Sequence, residues 1–418
     1  MENDRLLERV QVLIQHNRYI EAQKLMPQLL ADNPNNSYVL ALYSNILLQL
    51  NELERAIEVI DDAIGLAPDE DYNYYIKAVI LLHKTDYDGA ETNLKEAISL
   101  NPIVAGYYSY LGSIKLARKQ FDEALKLADK ALSLDPEDID ALNLRSSVLL
   151  KLNRDEESFE TIEGALKEDP NNPDTHANYG WNLLEKGNPK KALIHFKEAL
   201  KHNPNHQYAQ NGMLEALKSK YLLYRWFLQY SFWIGKLTQK YQWGVVFGFY
   251  FGFKFIQKIA DSNPSLMPVL LPIMIILGLM AFSTWVITPI SNLFLRLNVY
   301  GRNLLDKKEI LSSNFVGVSV LILFIGLIIY AITKNLNWLP IAFFGLVMMI
   351  PFSAMFAPTK YRTGIFAYIG LMVLLGIIAI FTTFKTDSVV NVFSFAFIIS
   401  VVAFQWLANF LFIRDSNF

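Results

Sequence analysis

Six prolines, Pro34, Pro68, Pro102, Pro136, Pro170 and Pro204, follow one another at a constant spacing of 34 residues. Proline lacks an amide proton and its ring collides with the carbonyl four residues earlier, so it ends a helix. A recurrence this regular divides the first half of the chain into units of one length. Within each unit an apolar triad recurs at i, i+4 and i+7, one face of a helix. The triads are Ala22, Met26, Leu29; Ala56, Ile60, Ala63; Ala90, Leu94, Ala97; Ala124, Ala128, Ala131; Ser158, Ile162, Ala165; and Ala192, Phe196, Ala199. A small residue lets two helices approach, the central one fills the gap, and the next small one repeats the close contact. The first and fifth copies depart from this pattern, at Leu29 and Ser158. The spacing predicts an all-α chain of helical hairpins over this region.

This pattern resembles the tetratricopeptide-repeat family, whose unit is a 34-residue helix-turn-helix with a small/large/small/Pro signature. The family's aromatic and glycine positions in the first helix are best met by Tyr108, Leu111 and Gly112 and by Tyr179 and Gly180. The frame gives six repeats, at 3–36, 37–70, 71–104, 105–138, 139–172 and 173–206, with a capping helix from about Gln207. The resemblance implies a superhelical solenoid with a concave face made by the first helix of each repeat, the family's usual surface for a protein segment. Positions 2, 5 and 9 of the repeats should line it. The candidates are Tyr38, Asn45, Tyr72, Tyr75, Ser109, Ser113, Asn143, Ser147 and Trp181. None is Lys or Arg, which argues against the family's clamp for acidic chaperone tails.

Composition changes abruptly after residue 218. Residues 1–218 hold 23 Lys and Arg against 35 Asp and Glu, and residues 219–418 hold 15 against 5, so a net −12 is followed by +10. The acidic half would repel nucleic-acid phosphate, and no nucleic-acid partner is expected. From Ser219, apolar runs at about 266–290, 314–333, 338–357, 364–384 and 389–412 are each long enough to span a bilayer. A sixth, Trp243 to Ile259, carries Lys254 and Lys258, which could snorkel to headgroups. It also contains Gly244, Gly248 and Gly252, two overlapping GxxxG steps suited to close helix packing, within the chain or in a homo-oligomer. Before it, KSKYLLYRWFLQYSFWIGK places Lys218, Arg225, Gln229 and Lys236 on one stripe of an aromatic helix, expected to lie in the membrane interface. The chain thus divides into repeats at 3–206, a capping and interfacial segment at 207–240, and a membrane domain at 241–413 with about six transmembrane helices. The stretch up to NVYGRNLLDKKEI is also similar to bacterial membrane proteins that fuse such repeats to a multi-span domain.

Orientation follows from the loop charges. With both termini cytoplasmic, 12 Lys and Arg fall inside, among them Arg296, Arg302, Lys307, Lys308, Lys360, Arg362 and Arg414, against four outside. Omitting the 243–259 span would put a four-charge loop on the wrong side. MENDRLLERV lacks the apolar core of a secretory signal. The expected location is a multi-pass protein of the bacterial inner membrane with its repeats in the cytoplasm.

Chemistry-bearing residues are scarce. The sequence has no cysteine, so disulfides and thiolate metal sites are excluded. All six histidines precede residue 207; His202 and His206 straddle Pro204, where a helix must break, so no metal site or other cofactor is expected. The five carboxylates after residue 218, Asp261, Asp306, Glu309, Asp387 and Asp415, fall between or after the apolar runs, where neither protease chemistry nor ion coupling is served. No enzyme activity is expected. The sequence points to a membrane-anchored scaffold or assembly factor that binds a protein segment. The alternative is a transporter or channel for a neutral small molecule or lipid, with the repeats as its regulatory domain.

Overall fold

A computed structural model describes residues 2–32, 34–296, 305–356 and 362–415, and every long element in them is an α-helix. The repeats form helix pairs: α1 (Glu2–Gln15) with α2 (Tyr19–Asp32), α3 (Ser37–Gln49) with α4 (Leu53–Leu66), and α5 (Asp71–His83) with α6 (Tyr87–Leu100). They continue as α7 (Ala105–Ala117) with α8 (Phe121–Leu134), α9 (Ile139–Lys151) with α10 (Asp155–Glu168), and α11 (Pro173–Glu185) with α12 (Pro189–His202).

The triad residues are the core. Ala56, Ile60 and Ala63, Ala90, Leu94 and Ala97, and Ala124, Ala128 and Ala131 are wholly buried. The imperfect fifth copy has a reason. The Ser158 hydroxyl donates to the Ser146 carbonyl at 2.8 Å while the Ser146 hydroxyl donates to the Ser158 carbonyl at 2.9 Å, so two buried hydroxyls satisfy each other's backbones.

Two recurrent devices hold the hairpins. The turn joining the helices of each pair contains a residue in the left-handed region, at Asn17, Asn51, Thr85, Lys119, Asn153 and Gly187, again 34 residues apart. Only the last is glycine; the asparagines tolerate the conformation, and β-branched Thr85 suits it least. The second device involves the fourth position of a repeat. The hydroxyls of Tyr74 and Tyr108 donate to the carbonyls of Pro68 and Pro102 at 3.0 and 2.9 Å, and His176 Nε2 lies 3.0 Å from the Pro170 carbonyl. Pro68, Pro102 and Pro170 are thereby each tied to the next first helix.

The chain divides into two compact units, residues 1–182 with 201–204, and residues 183–200 with 205–418. The second unit therefore includes part of the sixth repeat, although the sequence places the boundary after it. In this unit α13 (Gln207–Lys218) packs by Gly212 against the ring of Phe196, and Leu217 joins Leu193, Met213, Leu295 and Leu305 in one apolar cluster. Next comes α14 (Leu222–Lys236), whose polar stripe is turned onto protein. Gln229 Nε2 donates to the Leu184 carbonyl at 2.9 Å, Lys236 pairs with Glu185 at 3.2 Å, and Arg225 Nε donates to the Ser219 carbonyl at 3.0 Å. Lys218 is 1% exposed, 3.2 Å from Glu215 and over the Tyr224 ring. Leu222, Leu223, Trp226 and Trp233 are left exposed on α14.

The apolar runs become α15 (Gln239–Ser262), α16 (Met267–Leu295), α17 (Lys307–Thr333), α18 (Leu339–Ala354), α19 (Arg362–Thr386) and α20 (Val392–Asp415). Among the described residues four segments are long and apolar enough to cross a membrane: Met267–Leu295, Lys307–Thr333, Leu336–Ala354 and Arg362–Thr386. The sequence reading counted six. In α20 the shorter stretch Val392–Leu407 is apolar, and α15, with its lysines and glutamines, is not among the four. Arg302 and Lys360, used in the orientation argument, lie outside the described residues.

Close helix packing occurs away from the GxxxG steps. A Cβ added at Gly244, Gly248 or Gly252 would meet no described atom within 4 Å, so these glycines clear no path for a neighbouring helix of this chain. At Gly326 of α17 a Cβ would lie 2.5 Å from the Ala342 amide nitrogen, and at Gly345 of α18 it would lie 2.5 Å from that of Leu323. Small residues on two successive helices let their backbones touch. Asn391 joins α20 to α19, donating to the Ala379 carbonyl at 3.2 Å and to Thr383 at 3.1 Å.

Candidate functional site

The first helices of neighbouring repeats lie side by side, and the residues they share form a tyrosine-rich wall within the first unit. Tyr75 on α5 is its centre. Its ring centroid is 5.2 Å from that of Tyr107, 5.3 Å from that of Tyr110 in an edge-on arrangement, and 6.0 Å from that of Tyr72. Aromatic pairs at these separations stabilise beyond the area they bury. The Tyr107 hydroxyl donates to Asp71 at 2.6 Å, and Gln11 donates to the Tyr38 hydroxyl at 2.9 Å. Burial, and then the neighbouring Tyr110, push the Tyr75 hydroxyl well above the usual phenol range.

The sequence candidates divide by accessibility. Tyr38 and Ser113 are exposed, and Asn45, Tyr72, Tyr75, Ser147 and Trp181 are half-buried. Ser109 and Asn143 are buried. The Ser109 hydroxyl returns to the Ala105 carbonyl of its own helix, and Asn143 Nδ2 donates to Thr175 Oγ1 at 3.0 Å, linking α9 to α11. Hydroxyl and amide are thus engaged inside the wall, because position 5 sits where adjacent first helices touch.

Asp140 and Asp174 were passed over, although the repeat register carries them. They occupy position 2 of the fifth and sixth repeats, where Tyr38 and Tyr72 stand in the second and third. Both are exposed. Asp140 is nonetheless surrounded by the mass of the wall, and this desolvation, followed by repulsion from Asp138 and Asp174, raises its carboxyl above the usual range. The charge of Asp140 is felt at both Tyr75 and Tyr110.

The bases of the first helices point elsewhere. Lys77 pairs with Asp61 at 2.7 Å, Lys115 with Glu91 at 3.0 Å, Arg118 with Glu91 at 2.6 Å and with Asp88, and Arg145 with Asp129 at 2.8 Å. Every one of these partners lies on a second helix, so positive charge is drawn to that side and the tyrosine side is left acidic. Among the described residues no group of three His, Asp or Glu side chains is placed to hold a metal ion.

In the apolar half, a cavity of about 320 Å³ lies between α18, α19 and α20. Phe343, Phe344, Ile380, Val390 and Phe397 line it with one hydroxyl, that of Ser394.

Sequence profiles described as tetratricopeptide repeat match residues 13–79 and 115–178, 75–139, and 173–206. The N-terminal half is built of tetratricopeptide repeats. No curated protein matches the sequence. Among solved structures, a tetratricopeptide repeat protein from Parabacteroides merdae is similar at 16% identity, covering 50% of this chain and 82% of its own, with a TM-score of 0.45. TTC0263, a thermophilic protein of these repeats from Thermus thermophilus, has 22% identity, covers 44% and 99%, and gives a TM-score of 0.40. YrrB, titled a protein of these repeats with an unusual peptide-binding site, has 23% identity, covers 44% and 96%, and gives 0.32.

Proposed function

We propose that this chain is a membrane-anchored scaffold or assembly factor whose repeats bind a segment of a protein partner. The observation that carries the reading is the tyrosine wall around Tyr75, a surface assembled from successive first helices of a repeat whose fold serves protein interaction. Tyrosine offers a large apolar contact at low entropic cost together with a hydroxyl, the combination that recurs at binding hot spots. The anchor is the set of apolar helices from Met267 onward. In this proposal α15 and α20 complete six spans, the repeats and both termini are cytoplasmic, and the membrane is the bacterial inner membrane. An outward-only reporter fused at the C-terminus should then be silent, and strong activity would sink that topology.

The binding reading is tested by crosslinking in cells, with a photoreactive residue at exposed Ser113, in the parent background and in Tyr75→Ala and Trp181→Ala. Adducts that weaken at least about fivefold in the variants are expected for hot-spot losses above 1 kcal/mol. Identical adducts in all three backgrounds would remove this face from the argument.

A further inference from the structure

The acidity of the tyrosine wall identifies the chemistry of what would bind there. Asp140 makes no hydrogen bond or ion pair to any described residue; it holds the repeat position that Tyr72 holds next to Tyr75, and its charge is felt at Tyr75 and Tyr110. Asp174 supplies a second exposed carboxylate from the next first helix. Between them lies an acceptor in need of a donor. Asn143 is three residues from Asp140 on α9, hence on the same face, and its amide nitrogen is held by Thr175, the neighbour of Asp174. Its Oδ1 is buried and has no hydrogen-bond partner, while the side chain as a whole is 5% exposed. An amide oxygen left so is destabilising, and an N–H donor that reached it would recover the loss.

The same region offers aromatic faces, and the nearby bases Lys77, Lys115, Arg118 and Arg145 are spent on second-helix carboxylates. A Lys or Arg side chain entering the wall would meet carboxylates, tyrosine faces and, where it displaced the packing over Asn143, a buried amide oxygen without a donor, all of which favour a cation with N–H donors. An acidic segment would meet like charge, and a neutral one would leave Asp140 uncompensated.

Resting on the reading of this face as a binding surface, we propose that the wall formed by Tyr75, Tyr110, Asp140, Asn143 and Asp174 binds an extended, lysine- or arginine-bearing segment of a protein partner.

The test uses the full-length protein in detergent or nanodiscs. A displayed library of random 12-residue peptides is panned against the parent protein, Asp140→Asn/Asp174→Asn and Tyr75→Ala. Each variant is first shown to keep the parent's helical circular dichroism and monodisperse elution. A fluorescein-labelled peptide alternating Lys and Ser is titrated against the same three proteins, with a Glu/Ser peptide of equal length as control. Enrichment of Lys- or Arg-bearing peptides is expected on the parent. The Lys/Ser probe should bind the double Asn variant at least about tenfold more weakly and lose most of its salt dependence, as removal of complementary charge requires. Enrichment of neutral or acidic peptides that is lost in Tyr75→Ala would overturn the cationic inference and leave the binding face standing. Equal retention by all three proteins would overturn both.

Discussion

The two halves solve one problem, holding helices together, by different means. In the repeats each pair is closed by a buried triad and a left-handed turn, while bonds to three of the proline carbonyls and ion pairs from first helices tie a pair to the second helix before it. Of these the triads act where water is excluded, drawing on apolar surface leaving water, about 25 cal/mol per Å². In the apolar half, helices whose outer surfaces are already apolar gain little from that source, so fit between backbones must do more. Gly326 and Gly345 show it: each lies against the backbone of the other helix with no room for a methyl group. The repeats are therefore tolerant in shape and strict in hydrophobicity, and the apolar half is the reverse.

The sharpest way to break this contrast is Gly345→Leu. It would drive a side chain into the Leu323 backbone and should destabilise by more than about 3 kcal/mol, read as early thermal aggregation in detergent. Gly248→Ala, in open space, should change nothing. A large loss there would mean that the α15 face packs against another copy. Leu94→Ala in the repeats, which empties a fully buried position, should cost about 3 kcal/mol, seen as faster amide exchange confined to the third and fourth repeats of the full-length protein.

How much of this was legible in the sequence follows from the same contrast. A solenoid repeats its physics, so the proline period showed the frame, the helices and the buried triads, and the helix limits fall where the period puts them. The turn residues stayed hidden because Thr85 and Lys119 are not types that announce a left-handed conformation. The register that marks Tyr38 and Tyr72 marks Asp140 and Asp174 equally, but a carboxylate on a helix reads first as part of a solvated face. In the apolar half the GxxxG pattern lies on α15, where no described atom comes within 4 Å of the added Cβ positions. The contact glycines sit singly on two different helices, and no pattern within one helix can show them.

Two smaller effects refine the comparison. Thr85→Asn should stabilise by about 0.5–1 kcal/mol by relieving a β-branched residue at positive φ, read as an upward shift of the repeat unfolding transition. Asp140→Asn should stabilise by a few tenths of a kcal/mol at most, the side chain being exposed to screening. The sign follows from its raised carboxyl. Such a group contributes most to stability when protonated and loses that contribution as pH rises through its folded value. The gain from Asn should thus be present at pH 7 and fade as pH falls below the ordinary aspartate range, checked by melting curves across that interval.

The tyrosine cluster also has an optical consequence. The rings of Tyr107 and Tyr110 are centred 5.2 and 5.3 Å from that of Tyr75 in planes not parallel to it, so their transitions couple with that of Tyr75 and acquire rotational strength only while the packing is rigid. Of the seven tryptophans, Trp181 alone belongs to the first unit, and the remainder lie after residue 218. The near-ultraviolet spectrum should therefore carry a tyrosine signature of this wall, changing when a segment settles on it, without any label being attached.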